Sequence, residues 1–365
     1  MVRPQTTYLP QIDGLRAYAV GIVLFSHFWF SSVLAGAGVR LFFAISGFLI
    51  TGILLSARDN GGSFKAAVGR FYARRTLRIF PAYYALLFAT WLFGDSEVRE
   101  TIWWHLTYTS NFLAMVRGKW GYMVGHLWSL SVEEQFYLVW PLLILLLPAR
   151  ALLPMVVSLI VGGLATRLAF CLAGSDPIAI AAFTPMQFDV IGAGALLAIL
   201  RHRRVAVQPS RAAHLAALMG LLVAVAVAVL WPDDSSASYE ALFATASAAP
   251  IVWLLLQASA DRPGAARILL ANPVVLYLGK ISYGIYLYHL LAHAAMNKLL
   301  DAIGLPHPPF GPLLFLVDAP TTVLVAALSW RFFEAPILEL KRFFRDPPRP
   351  ARLAHAPAGS TSGAG

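Results

Sequence analysis

Long apolar stretches, separated by short segments that carry most of the charges, recur along the whole chain. Two of them, 215–231 and 241–260, contain no charged residue at all. An α-helix needs about 20 apolar residues to cross the roughly 30 Å hydrocarbon core of a bilayer. The pattern therefore predicts ten membrane-spanning helices. They lie near residues 15–31, 39–56, 80–94, 127–147, 152–172, 180–200, 213–231, 241–258, 281–297 and 313–333.

The segment 102–115 is shorter than these stretches and differs from them in composition. It contains Trp103, Trp104, Tyr108 and Asn111, and amphipathic aromatic residues collect at the headgroup level of a membrane. We therefore expect this segment to be interfacial or re-entrant. The number of spanning helices is then even, which places both termini on the same side.

Lysine and arginine are concentrated in alternate connections between the predicted spans. They cluster in 58–78, 201–211 and 341–352, whereas 95–100 and 233–240 are acidic or neutral. Because cytoplasmic loops carry an excess of Lys and Arg, both termini are predicted to be cytoplasmic. The same distribution assigns the net charge of +10 to membrane topology rather than to a nucleic-acid partner.

Composition supports an all-α, polytopic membrane helix bundle. Of the 365 residues, 59% are hydrophobic and only 13% are charged, whereas soluble domains average about 45–50% and about 25%. A disordered chain and an ordinary cytosolic enzyme are thereby excluded. Cys171 is the single cysteine, so an internal disulfide framework and a CxxC site are excluded as well.

We expect one membrane domain, 1–340, followed by a tail, 341–365, that is first basic and then rich in Pro, Ala and Gly. Such a composition is typical of disorder. The first span begins with Asp13 and Arg16 and has no evident cleavage site. It is therefore interpreted as a retained helix and not as a signal peptide.

Ionisable residues at membrane depth are costly and are therefore candidates for function. In the first predicted helix, Arg16 and His27 are eleven residues apart. Eleven residues return to nearly the same helix face with a rise of about 16 Å. One face thus carries a cation near the cytoplasm and an imidazole three turns deeper, unless each residue only anchors its end of the helix.

A second polar stripe runs along the helix that starts near residue 127. His126, Ser129, Glu133 and Tyr137 are spaced i, i+3, i+7 and i+11 and share one face. Glu133 is expected to face the interior of the bundle, and the adjacent Glu134 to make an interhelical hydrogen bond. The alternative is a buried polar network that only locks helices together.

A third stripe, Ser282, Tyr286 and His289, is spaced i, i+4 and i+7. An aromatic belt with an interfacial histidine is an equally good interpretation of it. The isolated charges Arg167, Asp189 and Asp318 are assigned to structural pairing. Ser46 and Gly47 are assigned to close helix packing.

Motifs for other chemistries are absent from the sequence. The histidines lack HExxH-type spacing, no glycine-rich phosphate loop opens a helix, and no Gly-x-Ser-x-Gly elbow occurs. No metal site and no permanently bound cofactor are predicted. The basic run Arg74-Arg75-Thr-Leu-Arg78 is explained in part by topology, but guanidinium groups could also hold a phosphorylated carrier.

Several of these segments, in this order, resemble acyltransferase family 3. This family contains multi-pass O-acylating enzymes such as O-antigen and exopolysaccharide acetylases, and the resemblance extends from about Tyr8 to Pro336. The matching segments are Ile12–Arg16 followed by His27, Gly38–Leu49, Arg75-x-x-Arg78 with Ile79–Pro81, His126–Tyr137, Gly279–His289 and Phe332–Pro336.

The resemblance implies transfer of an acyl group, usually acetyl, from cytoplasmic acyl-CoA to a hydroxyl group. Arg16 and His27 match the Arg-x10-His pair of the family, in which the histidine is the proposed catalytic residue. Arg75 and Arg78 match its Arg-x-x-Arg motif, which is assigned to the CoA side. The hydrolase-like domain of some members has no counterpart in this sequence, so direct transfer and transfer through a partner both stay open.

The residue types agree with this chemistry. An imidazole, with a reference pKa near 6.5, can accept a proton near neutral pH. Our hypothesis makes His27 the base, oriented by Glu133, while Arg16, Arg75 and Arg78 bind the CoA phosphates. Candidate donors to the oxyanion are Ser129, Ser131 and Tyr137, and His126 and His289 are further substrate-binding candidates. A covalent acyl-serine is the less favoured route.

The sequence is therefore interpreted as an acyl-CoA-dependent O-acyltransferase of the inner membrane. Its expected partners are acyl-CoA, membrane lipid and a hydroxyl acceptor, most simply a glycan such as lipopolysaccharide or exopolysaccharide, and no nucleic acid. A non-glycan small molecule or lipid is the alternative acceptor. A sugar or carboxylate transporter is the alternative from another class, although the inverted repeats typical of transporters are not evident here.

Overall fold

The computed structural model describes residues 8–30, 32–61, 63–93, 96–205, 207–231, 236–260 and 264–344. These residues form helices and their connections, with no strand among them. The α-helices are, in chain order, α1 Pro10–Phe28, α2 Ser32–Asp59, α3 Phe64–Leu92, α4 Ser96–Leu106, α5 Ser110–Arg117, α6 Leu127–Leu146, α7 Ala149–Leu172, α8 Pro177–Ala182, α9 Phe188–His202, α10 Arg211–Leu230, α11 Ala237–Ser259, α12 Ala265–Leu270, α13 Pro273–Ala302, α14 Pro312–Ser329 and α15 Ala335–Glu339.

Seven helical stretches of the described chain are long and apolar enough to cross a membrane. They are α2 from Leu34, α6, α7, α10, α11, α13 and the continuous helical run Pro312–Phe344 that contains α14 and α15. Each of the ten predicted spans overlaps a helix. However, α1, α3 and α9 do not reach the same criteria, so the count of ten stays a prediction, as does the cytoplasmic position of the termini. Residues 345–365 of the predicted tail lie outside the described residues.

The predicted span 180–200 is wrong as a single helix. The structure divides it into α8, a 3-10 turn at Thr184–Gln187, and α9, which has only 15 residues. Pro185 explains the break, because proline disfavours a helical conformation at the residue before it and lacks a backbone N–H. Asp189 in the first turn of α9 is thereby placed at a buried helix start.

The segment that was expected not to span forms two short helices, α4 and α5. They meet at Tyr108, whose φ is 53°, and the longer of them has 11 residues. At 1.5 Å per residue this helix is about 16 Å long, about half of the hydrocarbon thickness. Neither helix can therefore cross a bilayer as a single element.

The outer surface of the bundle is apolar. Of the most apolar stretch of α10 only 17% is buried, and its exposed side chains include Leu215, Leu218 and Val229. Water would solvate such a surface poorly, whereas lipid tails solvate it well. This surface and the seven apolar helices identify a multi-pass membrane protein.

Helix α2 lies at the centre, packed between α1 and α9, while α13 packs on α1 and α14. Glycine permits the closest of these approaches. A Cβ atom at Gly47 would overlap the carbonyl group of Ile191, and one at Gly194 would overlap that of Ala44. The predicted packing role of Gly47 is therefore confirmed for the contact of α2 with α9.

The isolated charges form buried pairs. Asp189 Oδ2 lies 2.6 Å from Arg167 Nη1 and 2.5 Å from Arg40 Nη2, and Asp318 pairs with His293. The predicted structural pairing of Arg167 and Asp189 is thus confirmed. The sequence analysis missed Arg40, because its partners are about 150 residues away along the chain.

Candidate active site

A cavity of about 1020 Å³ lies between α1, α2, α3, α6 and α13. Side chains from five helices line it, so no single stretch of sequence outlines it. Among the described residues, six cationic side chains face this space at one end, which we call the cationic end. They are Arg16, Arg70, Arg74, Arg75, Arg78 and Lys341.

Aromatic rings hold the two arginines of the predicted Arg-x-x-Arg pair. The guanidinium carbon of Arg75 lies 5.0 Å from the centroid of the Tyr137 ring. That of Arg78 lies 5.3 Å from the Trp330 ring, and Arg78 also donates to the Lys280 carbonyl. Cation–π contacts fix a guanidinium in place while its N–H groups remain available. The cationic end is therefore suited to a polyanion.

Arg16 reaches the same end of the cavity from α1. Its Nη1 lies 3.7 Å from Asp13 Oδ1, one turn earlier in the helix. Arg74 donates to the carbonyl of Phe344, which ties α3 to the segment that carries Lys341. Arg74 belongs to the basic run that the sequence analysis considered for a phosphorylated carrier, whereas Arg70 and Lys341 were missed as site residues. The i, i+4 spacing of Arg70, Arg74 and Arg78 on α3 was an available signal for Arg70.

Glu133 faces the middle of the cavity, as predicted from its stripe, and two hydroxyl groups bond it. Ser46 Oγ donates to Glu133 Oε1 at 2.7 Å, and the Tyr137 hydroxyl donates to Glu133 Oε2 at 3.2 Å. The two hydroxyls are themselves 3.1 Å apart. Ser46 was expected only to aid packing, and that expectation is wrong. Its neighbour Gly47 faces α9, because adjacent helix positions are about 100° apart.

The other end of the cavity is closed by a pair of hydroxyl groups. Ser129 Oγ lies 2.5 Å from the hydroxyl of Tyr286, and both lie within hydrogen-bond distance of the carbonyl of His126. Each hydroxyl has one proton, so one of them donates to the carbonyl and the other donates to its neighbour. The Phe42 ring is 6.1 Å from the Tyr286 ring. Ser282, one turn before Tyr286, also lines the cavity, and its buried Oγ has no hydrogen-bond partner among the described residues. It is a free hydroxyl donor within the cavity.

Next to Ser129 and Tyr286, on the side away from the cavity, three histidines meet. His27 lies on α1, His289 lies on α13, and His126 directly precedes α6. The ring centroids of His289 and His27 are 4.8 Å apart, and those of His289 and His126 are 4.7 Å apart. These contacts bring together three of the predicted site residues. The same arrangement could not be read from the sequence, in which the three stripes lie on separate helices.

One ring nitrogen of each histidine faces a backbone carbonyl. His27 Nδ1 lies 2.9 Å from the Val23 oxygen, His126 Nε2 lies 3.0 Å from that of Leu287, and His289 Nδ1 lies 2.7 Å from that of Tyr286. Because a carbonyl only accepts, these nitrogens carry the proton in the neutral rings. Nε2 of His27 therefore holds the lone pair of a base.

The structure does not pair Glu133 with His27. Among the described residues, the carboxylate bonds to Ser46 and Tyr137, whereas His27 Nδ1 bonds to its own helix. His27 also lies near the end of α1, outside the lining of the cavity. The orienting role that we expected for Glu133 is thus taken by the carbonyl of Val23.

Two neighbours of the Glu133 stripe lie elsewhere. Ser131 Oγ lies 2.8 Å from that of Ser110 on α5, away from the cavity, because two residues turn a helix by about 200°. The geometry therefore disfavours Ser131 as a substrate ligand. Glu134 was expected to make an interhelical hydrogen bond. Instead its buried Oε1 has no partner within the described chain.

The proteins most similar to this chain in the comparisons below are acyltransferases by name. A family model described as an acyltransferase domain matches residues 9–331. A peptidoglycan O-acetyltransferase of Listeria monocytogenes is 28% identical over 363 residues, which cover 90% of this chain and 56% of that protein. A Bacillus subtilis protein, provisionally named as a peptidoglycan O-acetyltransferase, is 29% identical over 360 residues, covering 90% of this chain and 55% of its own length.

A Staphylococcus aureus protein provisionally named as an O-acetyltransferase is 29% identical over 361 residues, or 90% of this chain and 57% of its own length. The chain therefore spans little more than half the length of the curated relatives it matches. No solved structure matches this chain.

Proposed function

The chain belongs to the acyltransferase 3 family, and from this premise we propose that it is an integral-membrane O-acyltransferase. It moves an acyl group, most simply acetyl, from acyl-CoA to a hydroxyl of a cell-envelope glycan. One observation carries the proposal. A single cavity extends from six cationic side chains to hydroxyl groups that directly contact the histidine cluster.

The cationic end is the binding site for the phosphates of CoA in this proposal. Arginine recognises phosphate through paired, charge-assisted hydrogen bonds, and Arg75 and Arg78 are held by aromatic rings rather than by carboxylates. Arg16 and His27 are about 16 Å apart along α1. An extended pantetheine arm can cover most of this distance inside the cavity, which ends at Ser129 and Tyr286 next to the histidine cluster.

The chemical step takes place at the histidine cluster. His27 Nε2 accepts the proton of the acceptor hydroxyl as its oxygen attacks the thioester carbonyl. The C–O bond forms, the C–S bond breaks, and the proton passes from His27 to the leaving thiolate of CoA. General base catalysis of this kind contributes about 10²- to 10⁴-fold to a rate.

The carbonyl oxygen needs a hydrogen-bond donor while it carries negative charge. Ser46 and Tyr137 already donate to Glu133, and Ser129 and Tyr286 are bonded to each other and to His126. Ser282 lies seven residues, about 10 Å, before His289 on α13, whereas the Tyr286 ring contacts both His126 and His289. We therefore assign this role to the Tyr286 hydroxyl. For the thioester to reach His27, the Tyr286 side chain has to leave its hydrogen bonds to Ser129 and to the carbonyl of His126.

The names of the relatives favour peptidoglycan as the acceptor to test first. Lipopolysaccharide and exopolysaccharide are the next glycans in order. Because acyl-CoA is made in the cytoplasm, the proposal places the protein in the inner membrane with the cationic end towards the cytoplasm. This orientation agrees with the positive charge of the first half of α3, which carries Arg75 and Arg78.

The test uses membranes from cells that overproduce the protein, supplied with acetyl-CoA labelled in the acetyl group. Wild type should release CoA and transfer label to the glycan fraction, and His27→Ala should lower both by at least about 10²-fold. His214→Ala is a matched control. Its ring also bonds the carbonyl four residues earlier, at 2.8 Å, but it lies on the exposed face of α10.

The possible outcomes distinguish acyl transfer from transport and test the role of His27. Loss of activity in His27→Ala, with His214→Ala unchanged at equal expression, supports the acyltransferase and the role of His27. A fully active His27→Ala contradicts that role. If the wild type releases no CoA and transfers no label to peptidoglycan, lipopolysaccharide or exopolysaccharide, the result contradicts the proposed donor and favours transport.

A further inference from the structure

A fourth histidine, His293, lies next to the histidine cluster on the side away from the cavity. It follows His289 by one turn of α13, and its ring is 5.8 Å from that of Phe28, which also contacts His289. His293 is not part of any stripe that the sequence analysis singled out. The acyl-transfer step described above does not use it.

His293 is held by a buried carboxylate. Its Nδ1 lies 2.5 Å from Asp318 Oδ2 on α14, and its Nε2 lies 3.1 Å from the amide nitrogen of Asn297. The side chain of Asp318 is 1% exposed, whereas that of His293 is 24% exposed. A carboxylate that bonds Nδ1 fixes the ring orientation and makes Nε2 a better hydrogen-bond acceptor.

Unpartnered polar atoms flank this pair. His289 Nε2 and the hydroxyl of Thr322 are buried, and neither has a hydrogen-bond partner within the part of the chain that the structure describes. Thr322 follows Asp318 by one turn of α14, just as His293 follows His289 on α13. Because α13 and α14 are antiparallel neighbours, Thr322 lies at the level of His289. Buried polar atoms without partners are rare and call for an explanation.

We propose that the His293–Asp318 pair, with Thr322 and His289 Nε2, is the acceptor site for the hydroxyl groups of a glycan. This inference rests on the proposed function. A sugar offers several hydroxyls that can both donate and accept, which matches the mixed set of atoms here. One hydroxyl bonds His293 Nε2 in place of the Asn297 amide, and the neighbouring one reaches His27.

This arrangement gives the two substrates separate entrances. The donor arrives through the cationic end, and the acceptor arrives past the partly exposed ring of His293, so they meet at His27. His293 is a positioning residue that does not exchange protons with the acyl group.

The test measures steady-state kinetics in membranes with acetyl-CoA and soluble peptidoglycan strands freed of O-acetyl groups. His293→Gln keeps a donor to Asp318 but presents no ring nitrogen to the acceptor. We expect its KM for the glycan strands to rise about tenfold, the effect of one lost hydrogen bond, with KM for acetyl-CoA changed less than about twofold. Asp318→Asn should show the same pattern.

His307→Gln is the matched control. His307 Nε2 lies 2.8 Å from Asp301 Oδ1 in a second His–Asp pair, which is exposed. It should leave both KM values unchanged. An unchanged glycan KM in His293→Gln, or an equal rise in both KM values, overturns the inference. A purely structural role would instead lower the amount of folded protein, measured by size exclusion, with both KM values retained, and this outcome also overturns it.

The experiment distinguishes failure of the proposed acceptor site from failure of the proposed function. If the wild type releases no CoA in response to glycan strands, the proposed function falls, and the acceptor site falls with it. If the wild type is active and His293→Gln has the same glycan KM, only the acceptor site is overturned.

Discussion

The hydroxyl of Ser46 donates a 2.7 Å hydrogen bond to Glu133, a partner 87 residues away along the chain. This bond joins α2 to α6 inside the cavity. The hydroxyl of Tyr137 bonds the other carboxylate oxygen, and the Tyr137 ring in turn supports Arg75. Ser46 is thus connected to Arg75 at the cationic end through Glu133 and Tyr137.

Ser46→Ala should therefore impair acyl transfer. It leaves one oxygen of a buried carboxylate without its donor, and a hydrogen bond to a charged group contributes about 1.5–3 kcal/mol. We expect acetyl-CoA-dependent CoA release to fall about tenfold or more, as measured in membranes at matched expression. Ser56→Ala, also on α2 and also lining the cavity, should retain wild-type activity. Equal activity of the two variants would show that the bond to Glu133 is dispensable.

Arg75→Lys and Arg78→Lys should weaken donor binding. Lysine keeps the charge but loses the planar, two-pronged contact with phosphate and the stacking on Tyr137 and Trp330. We expect KM for acetyl-CoA to rise about tenfold with kcat little changed, and to rise further with salt. The exposed Arg331→Lys, which is not in the cavity lining, is the control. A fall in kcat at constant KM would instead show that these arginines act in the chemical step and not in donor binding.

The helices were predictable because apolar length and the 3.6-residue period are local properties of the chain. Each polar stripe was also predictable, since positions on one helix face follow from spacing alone. The residues on other helices that each stripe contacts were not predictable. Glu133 bonds Ser46 and Tyr137 rather than His27, because the relative rotation and depth of two helices depend on packing contacts that no local pattern encodes.

The break between α8 and α9 and the different roles of Ser46 and Gly47 were not predicted either. The 3-10 turn that contains Pro185 separates α8 from α9 within a stretch that is apolar enough overall to resemble one span. Ser46 and Gly47 are adjacent and both small, yet one faces the cavity and the other faces Ile191. Only the position of α9 distinguishes their roles.

Gly47→Ala should destabilise the protein. An added methyl group would overlap the backbone carbonyl of Ile191, and a backbone atom cannot move aside as a flexible side chain can. Overpacking of this kind costs about 1–3 kcal/mol or more. We expect a clear fall in the melting temperature of the detergent-purified protein. Gly52→Ala on the same helix, where a Cβ meets nothing within 4 Å, should not show it.

The proposed function requires the cationic end to face the cytoplasm, and the single native cysteine allows a direct test. In a Cys171→Ser background, Lys65→Cys and Lys119→Cys place thiols at exposed positions on either side of the predicted span 80–94. A membrane-impermeant maleimide should label Lys119→Cys in intact spheroplasts and should label Lys65→Cys only after permeabilisation, because positively charged loops stay inside. The reverse pattern would place the six cations on the side that has no acyl-CoA. The donor-binding role of Arg75 and Arg78 would then be untenable, whatever the activity of the variants.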